Sequence, residues 1–297
     1  MKIVLTGGTG FIGKPALEQL LREGHEVLSL SRQTSFPEAY VGNSRLIWHP
    51  CDLAQPETWI QAVRNFAPEG CLHLAWEGIP DYGLDQSLRN LTLGSKLVEG
   101  LIQSGCRHFV ISGSCWEYGK VSGAIREDMD SVEQGVFAAS KNALHGIAEA
   151  LCRSAGVSLA WGRVFYPYGP AQKSVSLLPT VCRAIAEGQP PTLRTPSAAN
   201  DFLYVDDTAE ALVLLLEKKA RGIYNIGSGK PEAVGNMADM LLRFAGKAPV
   251  FNLTEASAEN GFWADISKLN ALGWHPRTSL DEGLQRTLDF FLPGNAD

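Results

Sequence analysis

Three glycines near the start of the chain have the spacing of a phosphate-binding turn. Gly7, Gly10 and Gly13 form a G-x-x-G-x-x-G run that follows a short apolar segment and precedes a helical pattern. Glycine at these positions permits a tight turn, brings backbone N–H groups close to a pyrophosphate, and lets the helix N-terminus face the anion. The turn therefore predicts a dinucleotide site, whose residues here are Gly7, Gly10, Phe11, Ile12 and Gly13.

The end of the second predicted strand indicates which dinucleotide is bound. An acidic side chain at this point bonds the ribose 2′-hydroxyl of NAD, whereas an arginine accommodates the 2′-phosphate of NADP. Ser31 and Arg32 occupy this point, and a guanidinium forms charge-assisted hydrogen bonds with phosphate. The sequence thus favours NADP(H) over NAD(H). The alternative is that Arg32 is a solvated loop charge.

Two later strand ends complete the predicted cofactor site. Asp52 follows the third predicted strand, where its carboxylate would accept a hydrogen bond from the adenine amino group, and Leu53 comes next. The fourth predicted strand ends with Leu74, Ala75 and Trp76, which we expect beside the pyrophosphate and the nicotinamide ribose. Ligands of open parallel sheets bind at the carboxyl ends of the strands, which is where these residues lie.

The elements that position these residues alternate between strand and helix. Short β-branched runs predict strands over residues 2–6, 26–30, 45–49, 71–76, 108–114 and 158–165. Helical spacing of apolar residues lies between them, over residues 15–23, 57–65, 85–104 and 135–155. This βαβα order predicts an α/β fold with a Rossmann-type, doubly wound parallel sheet.

The rhythm loosens after residue 165, which indicates a second domain. A Pro/Gly-rich stretch and a polar segment intervene before strand-like runs at residues 202–205 and 222–226 flank another helix. We expect an NADP-binding Rossmann domain of residues 1–165 plus about 201–230. A smaller, discontinuous C-terminal substrate-binding domain would contain about 166–200 plus 231–297.

Composition excludes several classes of function. Lys and Arg number 26 against 32 Asp and Glu, and a net charge of −6 provides no general attraction to nucleic acid or to anionic membranes. The N-terminal apolar run is too short for a signal peptide or a membrane span, so we expect a cytoplasmic protein. Six cysteines lie scattered without a C-x-x-C pair or a histidine at ligand spacing, so we expect reduced thiols and no metal site.

Many ordered motifs along nearly the whole chain resemble one family, the extended short-chain dehydrogenase/reductases of the NAD(P)-dependent epimerase/dehydratase type, which modify nucleotide sugars. The matching segments are residues 6–13 (TGGTGFIG), Asp52-Leu53, residues 73–75 (HLA), Asn90 with Gly94, residues 112–114 (SGS), Tyr118-Gly119, Ser140-Lys141, Arg163 with residues 168–170 (YGP), residues 201–202 (DF), residues 206–207 (DD), residues 224–229 (YNIGSG), Asp265 and residues 272–274 (LGW). The resemblance also implies cofactor contacts from Ser112, Lys141 and Val164, and a homodimer formed through the helices at 85–104 and 135–155.

The family's chemistry uses a Ser or Thr, a Tyr and a Lys, with the Tyr four residues before the Lys on one helix. Ser114 and Lys141 match, but Phe137 stands at the tyrosine position. A phenylalanine cannot relay a proton, and loss of a general acid/base lowers a rate by about 10²–10⁴-fold. Three explanations compete: an engineered Tyr-to-Phe change, a natural site in which Tyr118 or Tyr166 replaces the phenol, or lost catalysis.

The resemblance also narrows the reaction. Dehydratases of the family carry a Thr-Asp-Glu run where this chain has Ser114, Cys115 and Trp116, with Glu117 displaced by one residue. The cysteine that the family's GDP-sugar epimerase/reductases place two residues beyond the Ser is here Trp116. Family members also use an Asn at position 166 and an Arg at position 200, where this chain has Tyr166 and Asn200. Diphosphate binding would then rely on other cations, with Arg194 and Lys173 as candidates.

Reduction is the reaction that these residues favour, because a net reductase draws on the NADPH pool and Arg32 favours NADP. We expect NADPH-dependent reduction of a nucleotide-linked 4-keto-6-deoxyhexose at C4, and we expect Phe137 at the tyrosine position to impair this chain in that reaction. The alternatives are an NDP-hexose 4-epimerase, or a catalytically silent NADP-binding protein. The predicted catalytic positions are Ser114, Phe137 and Lys141, and the predicted substrate contacts are Trp76, Ser114, Cys115, Trp116, Tyr166, Arg194 and Asn200.

Overall fold

The structure is a computed structural model that describes residues 1–130, 135–253 and 261–292. Its strands are β1 Lys2–Thr6, β2 Glu26–Ser31, β3 Leu46–Pro50, β4 Gly70–His73, β5 His108–Ser114, β6 Gly123–Ile125, β7 Ser158–Val164, β8 Tyr166–Tyr168, β9 Ala199–Asn200, β10 Phe202–Tyr204, β11 Gly222–Ile226, β12 Glu232–Ala233 and β13 Gly261–Ala264. Its helices are α1 Gly13–Arg22, α2 Ile60–Phe66, α3 Leu84–Gln103, α4 Val136–Ala155, α5 Leu177–Ala186, α6 Val205–Glu217, α7 Val234–Phe244, α8 Ser267–Asn270 and α9 Leu280–Phe291.

The main sheet confirms the predicted fold class. It has seven strands in the order β11-β7-β5-β4-β1-β2-β3, and β1 pairs in parallel with both β2 and β4. From β1 the chain winds first through β2 and β3, and then in the opposite direction from β4. This reversal between β1 and β4 is the switch point at which doubly wound sheets bind ligands. Thr6 at the end of β1 lies in register with His73 at the end of β4.

The chain divides into two compact units. The first contains the described residues of Met1–Lys120, Asp130–Arg163 and Ala209–Tyr224, and the second those of Val121–Met129, Val164–Thr208 and Asn225–Asp297. This division places residues 121–129, 164–165, 201–208 and 225–230 in the second unit, whereas the predicted Rossmann domain includes them. The first unit has a core between α2, α3, α4 and the sheet, including the buried Trp59, Leu97, Phe109, Leu144 and Trp161. Which unit holds the cofactor and which the substrate stays a prediction.

The second unit contains elements that the sequence patterns did not predict. Strands β12, β9, β13 and β6 form a four-stranded sheet, and β8 pairs with β10. The sequence predicts β10 as the strand-like run at residues 202–205, whereas the other five strands have two to four residues, too few for a period-two pattern to be recognised. A second apolar core includes Tyr168, Cys182, Met237, Leu241 and Leu284.

Two boundaries in the first unit also differ from prediction. Strand β4 ends at His73 rather than at residue 76, at the residue that lies in register with Thr6 at the end of β1. The predicted helix at 57–65 begins as a short 3-10 turn, Pro56–Thr58, before α2. Within the described ranges, no helix is both long and apolar enough to cross a membrane.

Candidate active site

The glycine turn after β1 leaves no room for a side chain at Gly7 or at Gly13. Gly7 has a φ of +76°, and a Cβ there would lie 2.7 Å from the backbone nitrogen of Ala75. A Cβ on Gly13 would clash with the carbonyl oxygen of Gly7, because α1 begins directly after the turn. Both positions require glycine, so the backbone of the turn stays accessible to a ligand's phosphates.

A groove runs along this end of the sheet in the first unit. It is lined by Gly7, Thr9, Gly10, Leu30, Ser31, Arg32, Cys51, Leu53, Leu74, Ala75, Trp76 and Glu77. The structure thus brings together the glycine turn, the Ser31-Arg32 end of β2 and the residues after β4. The other predicted cofactor residues lie outside this lining: Phe11, Ile12, Gly13, Asp52, Ser112, Lys141 and Val164. Val164 ends β7 and is buried.

An acidic residue that the sequence analysis missed faces Arg32 in this groove. The Arg32 Nη1 atom lies 3.4 Å from a carboxylate oxygen of Glu77, and the Arg89 Nε donates to the other oxygen at 2.9 Å. Arg89 also lies 3.8 Å from Asp52. Asn90 holds the Glu77 backbone, since its side chain accepts from Glu77 N at 2.7 Å and donates to Glu77 O at 3.0 Å. The sequence offered one signal for Glu77, which directly follows the predicted cofactor residue Trp76.

The groove residues fit a nicotinamide dinucleotide. The glycine turn presents backbone where a pyrophosphate binds, and the Arg32 side chain remains about two-thirds exposed beside it. The Trp76 Nε1 is a buried donor with no hydrogen-bond partner among the described residues. A buried donor of this kind indicates a ligand or solvent acceptor, because unpaired buried polar groups are costly.

Ser114 lies on a rigid buried network at the end of β5. It caps the 3-10 turn Cys115–Tyr118, and its backbone N–H donates to the Glu117 carboxylate at 2.6 Å. That carboxylate also accepts from Trp161 Nε1 at 2.8 Å and from Arg163 Nε at 2.9 Å. Glu117 is fully buried and ion-paired with Arg163. It therefore serves to position Ser114, and its geometry does not suit the acid/base role of a dehydratase.

Lys141 approaches the same strand end from α4. Its Nζ donates to the Ser112 carbonyl oxygen at 2.7 Å and lies 4.0 Å from the centre of the Trp76 ring. Burial lowers the pKa of Lys141 to about 8, so most of it is charged at neutral pH. His73 lies nearby with its Nδ1 2.6 Å from the Thr6 hydroxyl. Burial and the Lys141 charge lower the pKa of His73 to about 3, so its ring is neutral.

Phe137 belongs to a cluster of four aromatic rings, Trp76, Tyr82, Trp116 and Phe137, which we call the aromatic cluster. The ring centre of Phe137 lies 5.4 Å from Trp76, 5.0 Å from Tyr82 and 5.8 Å from Trp116. Tyr82 also lies 5.0 Å from Trp116. Phe137 is buried, whereas Tyr82 and Trp116 are 37% and 41% exposed. Sequence analysis missed Tyr82, which carries no motif and lies in the loop before α3.

Two residues that follow Ser114 in the 3-10 turn, Cys115 and Tyr118, are buried. Cys115, a predicted substrate contact, is buried at the start of the 3-10 turn, and its contact with a substrate stays a prediction. Tyr118 is also fully buried, and its ring lies 4.2 Å from the Arg163 guanidinium carbon. The hypothesis that Tyr118 supplies the phenol missing at position 137 is not supported by this geometry.

The remaining predicted substrate residues lie in the second unit. The Tyr166 ring packs 5.7 Å from Phe202 and 6.1 Å from Phe262, Asn200 is half-buried on β9, and Arg194 is exposed. The neighbouring Asp201 is buried and accepts from Ser228, Gly229 and Ala264, so this carboxylate holds the loop after β11.

One group of possible metal ligands occurs elsewhere in the first unit. Ligand atoms of Glu23, His25 and Glu217 lie within 4.8 Å of one another. The His25 ring is already paired on both nitrogens, with Glu217 at 2.8 Å and the N-terminal amine at 3.2 Å. The group is therefore explained by these internal contacts.

Comparison with known proteins identifies the family. The model of the NAD dependent epimerase/dehydratase family matches residues 3–227. The chain belongs to this family. The resemblance drawn from the sequence is thereby confirmed, and the chain stands among the enzymes of the extended short-chain dehydrogenase/reductases.

Three relatives illustrate the family's range. dTDP-6-deoxy-L-talose 4-dehydrogenase (NAD(+)) of Aggregatibacter actinomycetemcomitans is 24% identical over 239 residues, which cover 79% of this chain and 87% of the relative. UDP-glucose 4-epimerase of Thermus thermophilus, in complex with NAD, is 27% identical with a TM-score of 0.80, covering 98% and 99% of the two chains. A Tyr-to-Phe variant of UDP-glucuronic acid 4-epimerase from Bacillus cereus holds UDP-4-deoxy-4-fluoro-glucuronic acid and NAD. It is 25% identical with a TM-score of 0.83, covering 98% and 99%.

Proposed function

We propose that this protein catalyses the NADPH-dependent reduction of a nucleotide-linked 4-keto-6-deoxyhexose at C4. The observation that carries the proposal is the Arg32 guanidinium beside the glycine turn in the groove, where it would meet a 2′-phosphate. A 4-dehydrogenase of a dTDP-6-deoxyhexose among the relatives supports the substrate class, since its reverse reaction is a 4-keto reduction.

The residues of the first unit suit defined roles in that reaction. When bound, the reduced cofactor would supply the hydride for the sugar C4. The Ser114 hydroxyl would donate a hydrogen bond to the C4 oxygen, and the capped turn below it holds that hydroxyl in place. The Lys141 ammonium would orient the cofactor ribose, and its bond to Ser112 keeps it at the strand end. Trp76 and Trp116 would line the sugar site.

Residues of the second unit would bind the rest of the substrate. We propose that Tyr166, Arg194 and Asn200 contact the nucleotide diphosphate, in place of the Asn and Arg that the family resemblance implies at positions 166 and 200. Cations and hydrogen-bond donors suit a diphosphate, and Arg194 is exposed and available to one.

A second candidate function is NDP-hexose 4-epimerisation. It is favoured by the relatives that are 4-epimerases, one of which holds NAD. A Tyr-to-Phe variant of an epimerase relative, in complex with NAD and a nucleotide sugar, motivates a further hypothesis, in which this chain binds both ligands without turnover. If the chain is instead the catalytically silent NADP-binding protein of the sequence analysis, only the cofactor would bind.

The test uses the purified chain with NADPH and a panel of CDP-, dTDP-, UDP- and GDP-linked 4-keto-6-deoxyhexoses. We expect loss of the reduced-nicotinamide absorbance with at least one of them, and a 6-deoxyhexose product. Interconversion of saturated UDP-hexoses without net NADPH loss would instead establish the epimerase. Calorimetric binding of NADP without binding of any nucleotide sugar would establish the silent protein.

Two further expectations accompany this proposal. The homodimer stays a prediction, with α3 and α4 as its interface, and Leu88 and Ile147 are exposed apolar side chains on these helices. Light scattering of the wild type and of a Leu88→Lys variant would test it, because a charge in the interface should yield monomers. The cytoplasmic location likewise stays a prediction.

A further inference from the structure

Position 137 sets a chemical problem for the proposed reduction. The C4 oxygen must gain a proton when C4 gains a hydride, and the Phe137 ring carries no ionisable hydrogen. Ser114 has a hydroxyl, but its usual role is to donate a hydrogen bond rather than to release a proton, because an alcohol is a far weaker acid than a phenol. A working site therefore needs a phenol or another acid from elsewhere in the fold.

The four tyrosines of the first unit differ in whether they lie near Phe137, where a proton donor is needed. Tyr40 bonds Glu18 at 3.4 Å, outside the groove. Tyr118 lies fully buried beneath Arg163, and Tyr224 is buried on β11. Tyr82 alone among these four contacts the Phe137 ring, at 5.0 Å between ring centres and an interplanar angle of 66°.

The surroundings of Tyr82 suit a proton donor. Its ring lies 5.0 Å from that of Trp116, which belongs to the 3-10 turn that Ser114 caps. Tyr82 is 37% exposed, so solvent reaches this residue. Partial burial raises the pKa of Tyr82, so its phenol is protonated at neutral pH, as reduction requires.

We propose that the Tyr82 hydroxyl is the proton donor of this site, in place of the phenol that Phe137 lacks. This proposal rests on the proposed reduction. In the step, the C4 carbon gains the hydride with its electron pair and the C–O π bond breaks. The oxygen takes the phenolic proton of Tyr82, which leaves a C4 hydroxyl and a Tyr82 phenolate. Solvent water then reprotonates the phenolate through the exposed edge of the ring.

The test compares four proteins with NADPH and the nucleotide-linked 4-keto sugar that the wild type reduces. Tyr82→Phe removes one oxygen, and we expect kcat to fall by about 10²-fold or more. The nucleotide-sugar Kd, measured by calorimetry, should stay unchanged. The double variant Tyr82→Phe/Phe137→Tyr should regain at least about tenfold of the lost rate, because a phenol returns beside Lys141. Tyr40→Phe, which removes the same atom outside the site, should match the wild type.

The outcomes separate the two proposals. A wild type that reduces no member of the panel overturns both the reductase and the Tyr82 donor. An active wild type with an equally active Tyr82→Phe variant overturns the donor alone. A raised nucleotide-sugar Kd with an unchanged kcat in Tyr82→Phe would assign Tyr82 to substrate binding and would also overturn its role as proton donor. Should Tyr82→Phe prove unfolded by its thermal transition, Tyr82→Trp, which also keeps an aromatic ring without a phenol, takes its place, and a wild-type kcat in folded Tyr82→Trp overturns the donor.

Discussion

The two sides of the candidate site are built in different ways. On one side, the Glu117 carboxylate joins Ser114, Trp161 and Arg163 through short, buried hydrogen bonds, and Lys141 bonds the Ser112 carbonyl. On the other side, the aromatic cluster meets through ring contacts of 5.0–5.8 Å, and two of its rings are more than one-third exposed.

This difference shows where a site of this kind tolerates change. A buried charged network is coupled, so removing one member leaves another charge without compensation. Aromatic rings that pack by contact accept a neighbour of similar shape, and Phe137 packs among Trp76, Tyr82 and Trp116 without adding a polar atom that would need a partner. The proton-transfer group can therefore move within the aromatic cluster while Ser114 and Lys141 keep their places.

The largest expected effect is a loss of folding stability when the buried network around Glu117 is disrupted. Glu117→Gln leaves the Arg163 charge buried without a counter-charge, which we expect to lower the free energy of unfolding by about 3–5 kcal/mol. Urea denaturation would measure this loss. Glu149→Gln, an exposed change on α4, provides the control and should lie within about 0.5 kcal/mol of the wild type. Equal stability of the two variants would contradict the assigned network.

The next effect has the opposite sign. The pKa of Lys141 is lowered from 10.5 to about 8, so the folded chain binds fewer protons than the unfolded chain between these values. The free energy of unfolding should therefore rise with pH from about 8 to 10.5. Below pH 8 the buried Lys141 charge should destabilise the fold to its full extent. Lys141→Met should remove the penalty and stabilise the fold at neutral pH by up to about 3 kcal/mol, while abolishing turnover.

Thermal unfolding as a function of pH checks this prediction. The advantage of Lys141→Met over the wild type should shrink as pH rises above 8 towards 10.5. Lys96→Met, an exposed change on α3, should show no such trend. A Lys141→Met variant that is less stable than the wild type at neutral pH would mean that its bond to Ser112 outweighs the burial of its charge.

A smaller effect concerns the groove, where the Glu77 carboxylate would compete with a cofactor phosphate for Arg32 and Arg89. Glu77→Gln removes the carboxylate that pairs with both Arg32 and Arg89. Both guanidinium groups then face a 2′-phosphate without competition, and we expect the ratio of NADPH to NADH affinity to rise by about tenfold. Arg32→Ala should lower the same ratio. Titration of tryptophan fluorescence measures both, and an unchanged ratio in each variant would exclude this charge pair from cofactor choice.

The smallest effect on stability belongs to the aromatic cluster. Trp116→Ala removes a ring that is 41% exposed, so we expect the free energy of unfolding to change by no more than about 1 kcal/mol. Nucleotide-sugar binding should nevertheless weaken by about 0.5–1.5 kcal/mol if the ring lines the sugar site. Phe36→Ala, an exposed ring outside the cluster, should leave that binding unchanged. A large loss of stability in Trp116→Ala would show that the two sides are energetically coupled.

Local sequence signals predicted most of the first unit. The glycine turn, the strand ends and the long helices are each encoded within a few residues, because backbone turns and amphipathic periods are local properties. The short strands β6, β9, β12 and β13 were missed for the converse reason. Their pairing joins segments distant in sequence, such as β13 with β6, and no local period marks them.

The sequence by itself determined the fold class, the dinucleotide turn, the Arg32 position and the absence of a phenol at position 137, because each depends on the type of a residue within one local element. Tertiary structure decided which partners those residues meet. Glu77 reaches Arg32 from a different strand end, and Glu117 turns inward to Arg163. Tyr82 meets Phe137 because the loop before α3 returns to α4. These contacts arise from packing between distant segments, which residue spacing does not encode.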